Sequence, residues 1–368
     1  MLKLTDDIKR QLHSDRTISF RYDLLDFNNN RIGELTSKGG SISFNSLAEI
    51  KRSGNFIILD EDYKHVDWIN SRIQPVMILN NEHEFPLGVF LINSPSKKII
   101  NGVIHREIEA YDASLILVED KFENRFIVPK GANYVTAITQ ILNSAGILNV
   151  NIQNSDLVLN TAREWEIGTP KLEVVNQLLS EMNYTSLWVD EVGYFRADPY
   201  ILPTFRDVEY EYRNNEISII KRNTSEEEID LFSVPNKFIV VATNPETDEA
   251  MVARYTNDNV DSPTSTLSRR RSIVDHRFIN DIPNQATLEE YVRRIAYEAT
   301  NVFGKFYFQT ALMPHHSYSD CLYIVHDELD VEDKFIETGW DMELVAGGSM
   351  THNCRRVINI WKLMNLLI

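Results

Sequence analysis

The sequence predicts an α+β protein that is mainly β: two β-barrel-like units toward the ends of the chain, with a helix-containing α+β insertion between them. Three observations carry this expectation. Short runs of alternating apolar and polar residues fill the early and late parts of the chain. Two apolar stripes at helical spacing fall together in the middle. Asn101-Gly102 separates two strand-like runs, and that dipeptide suits the positive backbone angles of a two-residue hairpin turn.

Residues 1–127 read as the first β unit, open to completion by later strands. Thr5 is placed to cap a short opening helix with Asp6 and Asp7 in its first turn. Ile18, Phe20, Tyr22 and Leu24 then alternate with polar residues, the pattern of a half-buried strand. GSISFN, NFIIL, QPVMIL and LGVFLI continue the series, and the Asn101-Gly102 hairpin joins KKII to VIHREIEAY.

Residues 128–205 read as the inserted unit. Asn133 precedes a helix carrying Val135, Ile138, Ile141, Leu142 and Ala145, stopped by Gly146. A second helix is expected from Thr169 as cap and Pro170 as first helical residue, with the stripe Leu172, Val175, Leu179 and Met182. A hairpin of TSLWVD and GYFRAD turns at Glu191-Val192-Gly193.

Residues 206–368 return to strands in EYEYR, EISIIKR, KFIVVAT and AMVARYT, and again from GKFYFQTALM to CRRVINIW. One helix is expected at about 286–300, opened by the capping box Thr287-Leu288-Glu289-Glu290. The polar stretch Asn257 to Ser268, with Pro263, reads as a long mobile loop.

Composition narrows the function classes. Of 368 residues, 43% are hydrophobic and 25% charged, a globular profile with no apolar run of the ~18 residues a membrane helix needs. The opening MLKLTDDIKRQL carries acids where a signal peptide has its apolar core, so no export signal and no membrane insertion are expected. The formal charge of −17 argues against an extended DNA-gripping face. Cys321 and Cys354 have no metal-ligand spacing and read as buried, reduced thiols.

No catalytic, cofactor or metal residues are assigned. His315-His316 with Asp320 is the one metal-like cluster, but adjacent residues on an extended chain point to opposite faces. Sequences of the HExxH, GxSxG and GxxxxGK[ST] types are absent. The acid runs Asp60-Glu61-Asp62 and Glu226-Glu227-Glu228 read as solvated loops or helix starts, since neither has the order of a calcium loop. Arg269-Arg270-Arg271 is the one basic run and reads as lying beside acids. Trp165 and Trp188 are expected in the core of the inserted unit. Glu164 and Glu166, flanking Trp165, are the nearest match to a paired-carboxylate hydrolase.

The order β unit, insertion, β unit, with particular phrases, resembles the baseplate hub family of contractile-tailed phages, prophages and phage-tail-like bacteriocins, and related tail-tip proteins. GGSISFNSLAEIKRSGNFII is similar to early strands of Gram-positive prophage hubs, and VTAITQILNSAGI to the first helix of the family's insertion. GYFRADPY resembles its exit strand, while DIPNQATLEEYVRRIAYEA and MPHHSYSDCLYI resemble the last helix and the strand opening the closing barrel. The family tends to place glycine before the aspartate of that opening turn, where this chain has Ser319 before Asp320. The chain ends soon after CRRVINIW, so the C-terminal peptidase of some relatives is not expected.

The resemblance implies a non-enzymatic homotrimer in the virion tail or a tail-like particle, assembled in the host cytoplasm. Its ring would join a tail tube or distal tail protein to a spike or tip protein, with DNA passing transiently through an acid-lined channel. Two other classes stay open: a tail-associated cell-wall hydrolase (peptidase or muramidase) and a host-receptor-binding tip protein.

Overall fold

Strands dominate, as the alternation predicts. The computed structural model describes residues 1–59, 66–215, 219–229, 234–243, 250–260, 262–279, 282–300 and 304–357. The early chain supplies α1 (Asp6–Leu12), β1 (Ile18–Leu25), β2 (Arg31–Leu35), β3 (Ser37–Asn45), β4 (Arg52–Leu59), β5 (Arg72–Leu79), β6 (His83–Pro86), β7 (Phe90–Ile100) and β8 (Val103–Asp112). The middle supplies α2 (Leu115–Glu119), β9 (Phe126–Val128), α3 (Tyr134–Ser144), β10 (Val150–Ile152), β11 (Arg163–Trp165), α4 (Lys171–Glu181), β12 (Trp188–Val189) and β13 (Phe195–Ala197). Then come β14 (Tyr210–Arg213), β15 (Glu226–Ile229), β16 (Lys237–Ala242), β17 (Met251–Thr256), α5 (Thr266–Arg269), β18 (Val274–Ile279) and α6 (Gln285–Thr300). The last strands are β19 (Gly304–Ala311), β20 (Cys321–His326), β21 (Val331–Glu343) and β22 (Ser349–Arg356).

The class is α+β and mainly β, but no sheet closes into a barrel among the described residues. Early and late strands instead share one 14-stranded sheet, in the order β15-β19-β22-β21-β3-β4-β8-β7-β5-β1-β2, with β14 beside β20, β20 beside β21, and β6 beside β5. The joint is β21. Its first half pairs with β20, its second half pairs with β3 through Trp340↔Phe44 and Glu343↔Ser41, and β22 runs along its other edge. The β21–β22 register shifts between Glu337 and Gly339, a bulge that re-aims the strand from one neighbour to the next. Gly339 permits this approach, because a Cβ there would lie 2.7 Å from the Phe44 carbonyl oxygen.

One core spans both ends of the chain, from Leu24, Phe56 and Phe90 to Phe306, Phe335 and Trp340. The inserted segment has its own core, in which Ile138, Leu142, Leu172, Val175 and Trp165 meet. A further small core, not foreseen, lies where α6 covers the sheet β17-β16-β18: Phe238 and Val240 pack against Leu288, Val292 and Ile295.

Local signals mostly act where they stand. Thr5 accepts from the Ile8 amide and Asn133 from the Thr136 amide, each closing a helix start. Asn101 (φ 52°) and Gly102 (φ 80°) form the tight turn that pairs Ile100 with Val103.

Several expectations are corrected. Pro170, not Thr169, is the cap residue of α4, and the Thr169 hydroxyl donates to the Glu166 carbonyl instead. Helix α6 begins at Gln285, and the side chain that caps it is Asn284, which accepts from the Thr287 amide, so Thr287 is already helical. Glu226-Glu227-Glu228 form strand β15, neutralised in part by Arg356 and Lys305 across the sheet. Asp60-Glu61-Asp62 lie outside the described residues. EYEYR forms β14, which pairs in parallel with β20. In EISIIKR, Ile220 makes an isolated bridge to Thr310, while 216–218 lie outside the described residues.

The stretch from Asn257 to Ser268 folds back on itself rather than hanging free. Asn257, Ser262, Thr264 and Ser265 are buried. The Asn257 amide group donates to Ser262 Oγ at 3.0 Å, Asn236 donates to the Thr264 carbonyl, and Ser265 caps α5. These polar side chains satisfy one another, so polarity here does not imply mobility.

Candidate functional site

Polar residues gather where the early strands, the late strands and the insertion meet. Glu337 sits at the bulge of β21, and its carboxylate is shared by two imidazoles. Oε2 lies 2.6 Å from His316 Nδ1, and Oε1 lies 2.6 Å from His352 Nδ1. The outer nitrogens are also engaged: His316 Nε2 with the Tyr212 hydroxyl at 2.5 Å, and His352 Nε2 with Thr310 Oγ1 at 2.8 Å. All five side chains are buried.

Burial works to raise the Glu337 pKa, but the two histidines prevail and hold it down to about 2. Burial lowers the pKa of His352, and Glu337 opposes this only in part. His316, Glu337 and His352 form the one group with ligand atoms close enough to hold a metal among the described residues. The donor set does not fit one as it stands. Tetrahedral ligands of zinc lie about 3.3 Å apart, whereas both Nδ1–carboxylate separations are direct hydrogen-bond lengths.

His315 and His316 do not point to opposite faces. They occupy a turn rather than a strand, both are buried, and their rings lie 4.8 Å apart. His315 takes no part in the Glu337 network. Both of its ring nitrogens are buried without a hydrogen-bond partner, and burial pushes its pKa well below the usual value. Asp320 fixes this turn. It accepts from the Ser317 amide at 2.7 Å, and its second oxygen lies 2.5 Å from the Met1 amino group. Ser319 just before it has φ 55°.

Glu191, in the turn of the inserted hairpin, reaches the same junction. It accepts from Ser317 Oγ at 2.5 Å and lies 3.5 Å from the Arg52 guanidinium, while Gln74 donates to its backbone carbonyl. The Arg52 guanidinium lies beside the stacked rings of Phe44 and Trp340, 5.4 and 5.9 Å from their centroids. Asp190 shapes the hairpin itself, accepting from the Val192 and Tyr194 amides and pairing with Arg196. One connected set of polar groups therefore fixes the insertion against both halves of the large sheet.

The remaining sequence candidates lie apart. Glu164 and Glu166 do share a face, as alternation on a strand requires, and Arg125 bridges them. Both are exposed and neither lines a described cavity. Trp165 between them is buried in the insertion's core, whereas Trp188 is half-buried and stacks on Tyr318. Cys321 and Cys354 are buried and free, and burial pushes both thiols up. Arg269 donates to the Val234 carbonyl, while Arg270 and Arg271 are exposed. The Glu337 network was not foreseen. The available signal was His352 at an inward strand position between Met350 and Cys354.

No family model matches the sequence, and no curated protein matches it. Solved structures do match the fold. The tail protein from Neisseria meningitidis MC58 is 13% identical, with a TM-score of 0.67 over 93% of this chain and 98% of that one. The 43 kDa tail protein of prophage MuSo2 from Shewanella oneidensis is 9% identical, with a TM-score of 0.64 over 92% and 98%. The prophage tail protein gp18 from Listeria monocytogenes EGD-e is 12% identical, with a TM-score of 0.59 over 90% and 94%. The chain has, along nearly its whole length, the fold of these phage-type tail proteins.

Proposed function

We propose that this chain is the structural hub of a phage-type tail, three copies closing into a ring that joins the tail tube or distal tail protein to a spike or tip protein. The observation that carries the reading is the agreement of fold over more than nine-tenths of both chains with tail proteins from Neisseria and Shewanella. The joint at β21 supports it, since a ring element needs its two β segments held rigidly to each other. In this reading 1–127 and 206–368 form the wall of the ring and 128–205 its outer face. Assembly is in the host cytoplasm, and DNA passes only in transit. The net charge of −17 supports a channel face richer in Asp and Glu than in Lys and Arg, with Arg269-Arg270-Arg271 turned away from it.

The role is mechanical rather than catalytic. Glu164 and Glu166 are tied to one guanidinium on an open surface, whereas a glycosidase needs one protonated and one ionised carboxyl across a cleft. Imaging of the assembled particle tests the proposal. Three copies around the tail axis are expected, and a dimer without threefold symmetry would overturn it. Purified protein should release no sugar or peptide from cell walls; release abolished by Glu164→Gln would favour a hydrolase.

A further inference from the structure

The small sheet β17-β16-β18 is covered on one side only. Helix α6 packs on the face of Phe238, Val240 and Ala253. The register puts Arg277 beside Val240 on that face, where it meets Tyr291 of α6 and pairs with Asp275. Side chains alternate along a strand, so the same register fixes the opposite face. One row across it is Val252, Val241 and Phe278, and the next is Arg254, Ile239 and His276. None of its apolar side chains joins a hydrophobic core among the described residues. Phe278 is 69% exposed. An apolar sheet face left open in this way marks an interaction surface.

The charge of this face runs against that of the chain. It carries Arg254 and, one row further, Lys237, and no position on it is an acid. The nearby acids are accounted for. Asp275 is held by Arg277 on the covered face, and Glu181, across a small cleft from Phe278, is held by Arg163. The adjoining turn adds Asp258 but also the exposed Arg270 and Arg271, the latter tied to the sheet through its carbonyl and Asn236. Among the described residues the balance is basic, on a chain of net charge −17. Its complement lies elsewhere on the same chain. The turn between β20 and β21 presents Asp327, Glu328 and Asp330 around Leu329, all exposed, and none of the three acids pairs with a cation among the described residues. Within one copy the two patches stay apart. Tyr297 of α6 packs with Cys321 at the start of β20, the turn follows His326 at the strand's other end, and the sheet face looks away from α6.

We infer that the open face of the β17-β16-β18 sheet receives the β20–β21 turn of a second copy of this chain. Leu329 would cover the row of Val241 and Phe278, and Asp327 and Glu328 would meet Arg254 and Lys237. Opposite charges across such a contact steer the encounter and fix its register. A contact between two different patches runs head to tail, and it makes a ring when the rotation closes. The inference rests on the hub reading and names one contact by which its copies meet.

The test is crosslinking of the full chain carrying both Phe278→Cys and Leu329→Cys with a short bismaleimide, in concentrated solution and in assembled particles. The native thiols of Cys321 and Cys354 are buried. Covalent dimers and trimers are expected from the double variant and none from either single variant. Charge reversal is the second measurement. Arg254→Glu and Glu328→Arg should each weaken association about tenfold or more, and the two together should restore it. Unaltered thermal melting would show that the variants are folded. No crosslink in either setting, a crosslink from Phe278→Cys alone, or a double reversal no better than the single ones would overturn the inference. A threefold particle without the crosslink would sink this contact and leave the hub reading standing. A crosslinked chain in a particle without threefold symmetry would do the reverse.

Discussion

At the scale of single residues, backbone geometry and buried charge set the expectations. Ser319 adopts a left-handed conformation that costs a residue with a Cβ about 1–2 kcal/mol, so Ser319→Gly should raise stability by up to about 1 kcal/mol in urea melts; a loss would show that the Ser319 side chain matters more than its backbone angle. Both ring nitrogens of His315 are buried without partners, and its folded pKa, like that of His352, lies below the unfolded value. The unfolded chain therefore binds more protons as pH drops below about 6.5, and stability is lost in that direction. Glu337 adds a loss in the same sense, between its ordinary pKa and about 2. Urea midpoints should fall between pH 7.5 and 5.5, and His315→Phe should flatten the fall at no cost to stability at pH 7.5. An unchanged slope would remove His315 as its source. Glu337→Gln should cost about 3–5 kcal/mol, the range for breaking a buried charged network.

Elements were legible where their signals are local. Caps at Thr5 and Asn133 and the turn at Asn101-Gly102 involve neighbours in sequence, so short spacing rules find them. Pairing between distant segments leaves no comparable mark: β14 reads as an ordinary alternating strand, and nothing in it announces a parallel partner more than a hundred residues away. The Glu337 network was hidden for the same reason, since its histidines come from a turn and a strand that are adjacent only in space. The Asn257–Ser268 segment misled because buried, mutually bonded side chains have the composition of a loose loop. Its Asn257 and Thr266 amides, bonded to the Asn236 and Asn257 carbonyls, should resist hydrogen exchange in the isolated chain. Exchange as fast as in an unstructured peptide would restore the mobile reading. Asn284→Ala should cost about 1 kcal/mol through loss of the α6 cap, whereas the same loss from Glu290→Ala would point back to a capping box.

For the molecule as a whole, the β21 joint makes two distant stretches of sequence one cooperative body. Phe44 on β3 stacks on Trp340 of β21 at 5.6 Å, so Phe44→Ala should cost about 3–5 kcal/mol. Amide probes on β1 and β19 should lose protection together. Separate transitions for the early and late strands would mean that the sheet is continuous in geometry but not in energy.

That joint also has a consequence for synthesis. The partner of β3 leaves the ribosome roughly 300 residues after β3 itself. At about 5–20 residues per second the interval is about 15–60 s. Throughout it, one edge of β3, carrying Ile42 and Phe44, has no strand to bond to, and an open apolar edge is a template for pairing with the wrong chain. On a polysome, where identical nascent chains crowd together, the wrong chain is another copy at the same stage. Production of this protein should therefore depend on holdase chaperones more than its finished stability suggests, and slowing translation ahead of β21 should lower the soluble yield.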